Sequence, residues 1–200
     1  MEKLKLGVLG SGKGSNYRAI QEAILRGEVA AETCVVISDV EGAGILESAR
    51  RYGVKAEYVA PGRFRTKLEP EAEARVVSLL TEAGVELVVL AGYMRMVKEP
   101  LLEAFPGKII NIHPSLLPAF PGLESWKQAL AAGVAETGCT VHYVDRGMDT
   151  GPIIAQRKVP VLPGDTAETL HARIQVVEHE VYPEVVRRMA EGEIQGGLKG

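Results

Sequence analysis

The chain has 200 residues, 46% hydrophobic and 24% charged, an ordinary globular composition that excludes a disordered or collagen-like polymer. A chain of this length forms a single domain that buries about 70% of its unfolded surface without disulfides. The formal net charge is −3, with both signs dispersed along the chain, so neither a nucleic-acid-binding face nor an acidic tail is expected.

The apolar stretch within Met1–Gly10 is too short for an export signal, and no run of about 18 apolar residues occurs. A cytoplasmic location without membrane association is expected. Cys34 and Cys139 lie in apolar segments far apart and read as reduced, buried thiols.

Leu4–Leu9 is an apolar run ending at Gly10, followed by helical periodicity over Asn16–Arg26. Thr33–Ser38 reads as a β-branched strand, Ile45–Tyr52 as a helix stopped by Gly53, and Lys55–Val59 as a weaker strand. Pro70 opens a helix over Glu71–Ala83 that Gly84 ends, the usual asymmetry of proline at the start and glycine past the end. Leu87–Leu90 is continuously apolar, as in strands covered on both faces. Lys108–His113 is a further strand, stopped by Pro114. Ser125 and Gln128 have capping-box spacing and predict a short helix to about Gly133. Gly138–Val144 and Ile153–Val159 predict strands, and Asp165 with Glu168 predicts the cap of a long helix reaching Met189.

This order predicts an α/β fold: a Rossmann-like, mostly parallel sheet with helices on both faces and some antiparallel pairing in the C-terminal part. One domain over residues 1–190 and a flexible tail over residues 191–200 are expected.

The loop Gly10–Asn16 lies between the first strand and the first helix, where α/β proteins bind phosphate through backbone N–H groups and the helix dipole. Ser15 or Asn16 is the expected helix cap. Gly7, Gly12 and Lys13 fit a P-loop only in part, because Gly14 replaces the hydroxyl residue that holds Mg²⁺. A dinucleotide fingerprint lacks its third glycine at Ser15, although Asp39 stands where a ribose ligand is expected. A site for one terminal phosphate is the most economical reading; a tight turn without a ligand is the alternative.

In the strand Lys108–His113, alternation places Asn111 and His113 on one face, about 7 Å apart, at the carboxyl end where ligand crevices of open α/β sheets lie. An amide N–H stabilises a developing oxyanion and an imidazole moves protons near neutral pH; a hydrogen-bonded structural pair is the alternative. Asp149, in the glycine-containing loop Asp145–Pro152, is a candidate to orient His113, or else a turn-forming aspartate. His142 lies on the preceding strand. Two histidines and an aspartate on separate strands, without a short-spacing motif, argue against a metal site. No nucleophile elbow or activated cysteine is visible, so direct attack by a substrate's own nucleophile on a carbonyl is expected.

Five ordered segments carry a resemblance: Ser11–Asn16 (SGKGSN), Leu90–Val97 (LAGYMRMV), Ile110–Pro118 (INIHPSLLP), Gly138–Ile154 (GCTVHYVDRGMDTGPII) and Arg173–Pro183 (RIQVVEHEVYP). Across nearly its whole length the chain resembles the phosphoribosylglycinamide formyltransferases of purine synthesis. The resemblance implies 10-formyltetrahydrofolate as co-substrate and no metal. It also implies small-molecule substrates, no nucleic acid, and a monomer or homodimer. Asn111, His113 and Asp149 are then catalytic. Gly14, Ser15 and Asn16 hold the phosphate, with Gln175 and Glu178 on the sugar and glycinamide. The folate side takes Lys67, Met94, Arg95, Met96, Val97, Asn111, Asp145, Met148 and Asp149. Two residues depart from the family pattern: Lys67 stands where an arginine is common, and Trp126 where some members have histidine. A formyltetrahydrofolate hydrolase and a non-catalytic nucleotide-binding domain are the alternatives.

Overall fold

A computed structural model describes residues 2–197. In chain order the elements are β1 (Leu4–Leu9), α1 (Ser15–Leu25), β2 (Ala31–Ser38), α2 (Gly44–Arg51), β3 (Lys55–Tyr58), α3 (Pro70–Glu82) and β4 (Leu87–Leu90). The second half adds α4 (Glu99–Ala104), β5 (Ile109–His113), α5 (Ser125–Ala131), β6 (Glu136–Tyr143), β7 (Ile153–Pro160) and α6 (Ala167–Ala190). The strands form one sheet in the order β3-β2-β1-β4-β5-β6-β7. The first five are parallel to one another, while β6 pairs antiparallel with β5 and β7 antiparallel with β6. The expected mostly parallel α/β fold, with antiparallel pairing late in the chain, is therefore present.

Strand periodicity divides the core into two layers. Leu87 and Val89 of β4 pack with α1, α2 and α6 on one face of the sheet. Val88 and Leu90 pack with α3 and α4 on the other. A strand covered on both faces needs four apolar residues in a row, which is why Leu87–Leu90 lacks alternation. In β5, Ile110 and Ile112 enter the first layer and Ile109 the second. Asn111 and His113 therefore share the α3/α4 face, as alternation requires.

Gly7 is buried in β1 and paired with β2 and β4. A Cβ there would lie 2.3 Å from a Leu80 side-chain carbon. Its role is close helix–sheet packing, which removes it from any P-loop. The sequence also misplaced several helix ends. Gly14, in the left-handed region at φ 74°, is the N-cap of α1, and neither Ser15 nor Asn16 caps it. At α5, Ser125 is already helical and donates to the Pro114 carbonyl, so the expected capping box does not form. The box at α6 is Thr166 with Thr169; Asp165 instead binds Arg173 and accepts from Leu162 N–H. The short helix α4 was not anticipated, because six residues carry too little periodicity.

Of the expected tail, residues 198–200 lie outside the described residues. Before them, Ile194 packs against the core and the Tyr143 hydroxyl donates to the Gln195 carbonyl at 2.6 Å. Among the described residues both cysteines are free; Cys139 is buried and Cys34 half-buried. No helix among those residues is long and apolar enough to cross a membrane.

Candidate active site

The sheet order reverses between β1 and β4, and the crevice at such a switch point opens at the carboxyl ends of the strands. Gly10–Asn16 leaves β1 there and Ala91–Val97 leaves β4, and Ser11 N–H donates to the Gly92 carbonyl at 3.0 Å across the gap. His113 ends β5 beside them.

Asn111 faces His142 across the antiparallel β5–β6 pair. The His142 Nδ1 lies 2.9 Å from the Tyr143 carbonyl; a carbonyl only accepts, so that nitrogen carries the proton. Burial holds the His142 pKa below its usual value, which favours the neutral ring and leaves Nε2 as an acceptor. The Asn111 amide nitrogen lies 3.5 Å from it. One amide hydrogen is thereby directed at His142, and the other remains for a ligand oxygen. Sequence reasoning weighed His142 only as a metal ligand. Its place directly opposite Asn111 depends on the β5–β6 register, which no local motif encodes.

The loop after β6 folds back over this face. It places Asp149 Oδ2 3.5 Å from His113 Nδ1 and Oδ1 3.8 Å from His142 Nε2. Gly122 N–H donates to Asp149 Oδ2 at 2.9 Å. Asp149 holds φ 55°, a left-handed conformation that aspartate tolerates better than most residues. The second His113 nitrogen, Nε2, donates to the Phe120 carbonyl at 2.9 Å. His113 thus sits between a carboxylate and a loop carbonyl, and the three residues that sequence reasoning grouped are together. Asp145 supports the loop from within, accepting from Gly147 N–H and the Thr150 hydroxyl. Arg146 pairs with Glu99 of α4.

On the other face, Asn16 donates to Glu178 of α6 at 3.2 Å. Glu178 is 5% exposed, and desolvation raises its carboxyl to about 7 despite the Asn16 hydrogen bond. The Asn16 side-chain oxygen is buried without a partner. Gln175, one turn earlier on the helix, is half-buried.

The strap Met94–Val97 has mixed exposure. Met94 is exposed and Val97 buried. Met148 and Leu123 add exposed apolar side chains on the neighbouring loops. The Arg95 guanidinium is directed at Asp39, with Nε to Oδ2 at 2.7 Å, and at the Phe64 and Lys67 carbonyls. That pairing also takes Asp39 out of the role of ribose ligand. Lys67 is exposed, with its ammonium 4.6 Å from the Phe64 ring centroid. A groove of about 790 Å³ opens there, lined by Arg63, Phe64, Lys67, Glu73 and Lys98 among others. Asn111, His113 and Asp149 lie outside its lining. Trp126 stacks on His171 at 3.7 Å, so it is occupied in packing α5 to α6. Among the described residues no group of three or more His, Cys, Asp or Glu has a geometry suited to a metal ion.

An open α/β sheet with an amide, an imidazole and a carboxylate gathered beside its switch point has the composition of a group-transfer site. The chain belongs to the formyl transferase family, whose model matches residues 4–186. It is 43% identical over 185 residues to the phosphoribosylglycinamide formyltransferase of Bacillus subtilis, covering 92% of this chain and 94% of that one. It is 45% identical over 196 residues to the trifunctional purine biosynthetic protein adenosine-3 of Drosophila pseudoobscura pseudoobscura. That match takes in 96% of this chain and only 14% of the longer protein. Among solved structures, glycinamide ribonucleotide transformylase 1 from Symbiobacterium toebii superposes with a TM-score of 0.92 at 49% identity, covering 98% of this chain and 92% of that one. A formyltetrahydrofolate deformylase from Pseudomonas syringae superposes at 0.87 with 26% identity, covering 98% of this chain and 64% of that one.

Proposed function

We propose that this enzyme transfers the formyl group of 10-formyltetrahydrofolate to the glycinamide amine of phosphoribosylglycinamide. The juxtaposition of Asn111, His113 and Asp149 at the end of β5 carries the reading, and likeness to formyltransferases over more than nine-tenths of the chain supports it.

In this reading the substrate phosphate rests on Gly14, Ser15 and Asn16 at the start of α1, where free N–H groups and the helix dipole favour an anion. Gln175 and Glu178 face the sugar and glycinamide. The folate lies along the strap Met94–Val97, with the loop Asp145–Asp149 and Met148 at its pterin end and Lys67 near its outer end. The amine attacks the formyl carbon while the free Asn111 N–H donates to the oxygen that becomes negative. His113, oriented by Asp149, supplies a proton, for which the Phe120 carbonyl must release Nε2. The C–N bond to the folate nitrogen then breaks, that nitrogen takes up a proton, and the former amine loses one. No covalent enzyme intermediate and no metal is required.

A coupled assay tests the reading: absorbance of the folate product should grow only when the glycinamide substrate is present. Asn111→Ala and His113→Ala should each lower kcat at least about a hundredfold, as loss of an oxyanion donor does. Wild-type turnover in either variant overturns the mechanism. Consumption of formyl-folate without acceptor favours the hydrolase, and binding of ribose phosphate without folate dependence favours a non-catalytic domain.

A further inference from the structure

The resemblance implies that the strap Met94–Val97 lines the folate through backbone hydrogen bonds and apolar contacts, and the Arg95 guanidinium is engaged within the protein. The Arg95 and Asp39 side chains are only 15% and 4% exposed. Asp39 follows β2, and its second oxygen accepts from the Ser11 hydroxyl at 2.6 Å. Ser11, in the loop after β1, in turn accepts from Met94 N–H at 2.9 Å. The guanidinium reaches on to the carbonyls of Phe64 and Lys67, and that segment receives Met96 N–H at the Thr66 carbonyl at 2.8 Å. The strap leaving β4 is thus tied at Met94 to the glycine loop and at Met96 to the segment Phe64–Lys67. Both ties meet at the Asp39–Arg95 ion pair.

We infer that Ser11, Asp39 and Arg95 are positioning residues: they pin the strap Met94–Val97 so that its backbone edge and apolar side chains face the folate in a fixed register. The inference rests on the proposed role of that strap. A buried carboxylate satisfied by a hydroxyl and a guanidinium is rigid, because losing the guanidinium strands a charge and losing the hydroxyl leaves a buried acceptor short of a partner. Charge alone does not suffice for Arg95, since one side chain must serve the carboxylate and two carbonyls at once, and only a planar fork does so. Direct contact with the co-substrate is left to backbone groups and to Met94, whose side chain is exposed.

The experiment pairs amide hydrogen exchange of the free protein with calorimetry, using 10-formyl-5,8-dideazafolate and ribose 5-phosphate as probes. Ser11→Ala leaves the ion pair intact and is the mildest variant. It should speed exchange at Met94 and weaken the folate probe by up to about tenfold, the size of one hydrogen bond. Ribose 5-phosphate binding should change less than threefold, about half a hydrogen bond's worth. Ser11→Thr, which keeps the hydroxyl, should restore both properties. Arg95→Met should speed exchange at Met96 as well and raise KM for formyl-folate more than KM for the ribotide; Arg95→Lys should rescue this only in part. Unaltered exchange at Met94 and Met96 in Ser11→Ala and Arg95→Met would overturn the inference. Equal weakening of both probes by Ser11→Ala would do the same. Failure of the wild-type chain to bind the folate probe would instead overturn the proposed function, because the exchange rates report the pinning without any ligand.

Discussion

Glu178 is a carboxylate whose burial should be measurable as a cost. Desolvation raises it from 4.5 to about 7, so the folded state binds its proton more tightly than the unfolded chain does. The sign follows: its contribution to stability is fully present below pH 4.5, declines as pH rises towards about 7, and changes no further above that. At about 1.4 kcal/mol per pH unit, the ionised carboxylate costs the fold roughly 3 kcal/mol at pH 8. Glu178→Gln keeps a neutral group that still accepts from Asn16. It should exceed the wild type by up to roughly 3 kcal/mol at pH 8 and by under about 1 kcal/mol at pH 5. Urea unfolding at four pH values between 5 and 8 reads this difference directly. On the proposed role of Glu178 towards the sugar and glycinamide, the same variant should lose kcat/KM for the ribotide, while folate-probe affinity stays within a few-fold. A stability difference that does not vary between pH 5 and 8 would refute the argument.

Asp149→Asn keeps a residue that tolerates φ 55° and an oxygen for Gly122 N–H. Its unfolding free energy should stay within about 1 kcal/mol of wild type, while kcat falls at least about tenfold through loss of the charge facing His113; full activity would show that the charge is idle. Gly14→Ala forces a side chain into the left-handed region and brings a Cβ 2.6 Å from Ile45. It should cost more than about 1 kcal/mol in urea unfolding and weaken ribose 5-phosphate, and an unchanged midpoint would contradict the backbone account. Tyr182, fully buried, donates to the Leu90 and Ile110 carbonyls at 2.8 and 3.2 Å. Tyr182→Phe should therefore destabilise by about 1–3 kcal/mol, checked by the same titration.

The fold was legible because its signals are local. Four consecutive apolar residues at Leu87–Leu90 and alternation through Ile109–His113 report how each strand is covered. The glycine loop between the first strand and helix marks the switch point. The pairing of Asn111 with His113 was legible for the same reason, since period-two alternation puts both on one face. Asp149 could be named only as a candidate, because its approach depends on a loop folding back over β5 and β6. The partners of His142 and Arg95 were not legible for a related reason: they lie 31 and 56 residues away in sequence, so spacing carries no trace of the contact. Helix caps failed where a backbone cap, as at Gly14, replaced the side chain that local pattern favours.

The distribution of strain separates machinery from scaffold. Glu178 is buried with one polar contact from Asn16, whose own oxygen has no partner, and Asp149 is held in a left-handed conformation beside two histidines. Each choice disfavours the folded state locally, and each involves a residue of the proposed substrate site. The Asp39–Arg95 pair is as deeply buried, yet both groups have several well-formed partners. A sequence selected for stability alone would place apolar residues at Glu178 and a glycine at Asp149, whereas the satisfied ion pair is compatible with stability. Burying a polar group short of partners lowers stability, a cost that proteins accept mainly at functional sites. That contrast supports the proposed roles of Asn16, Glu178 and Asp149 in the reaction and of Ser11, Asp39 and Arg95 in the frame beside it.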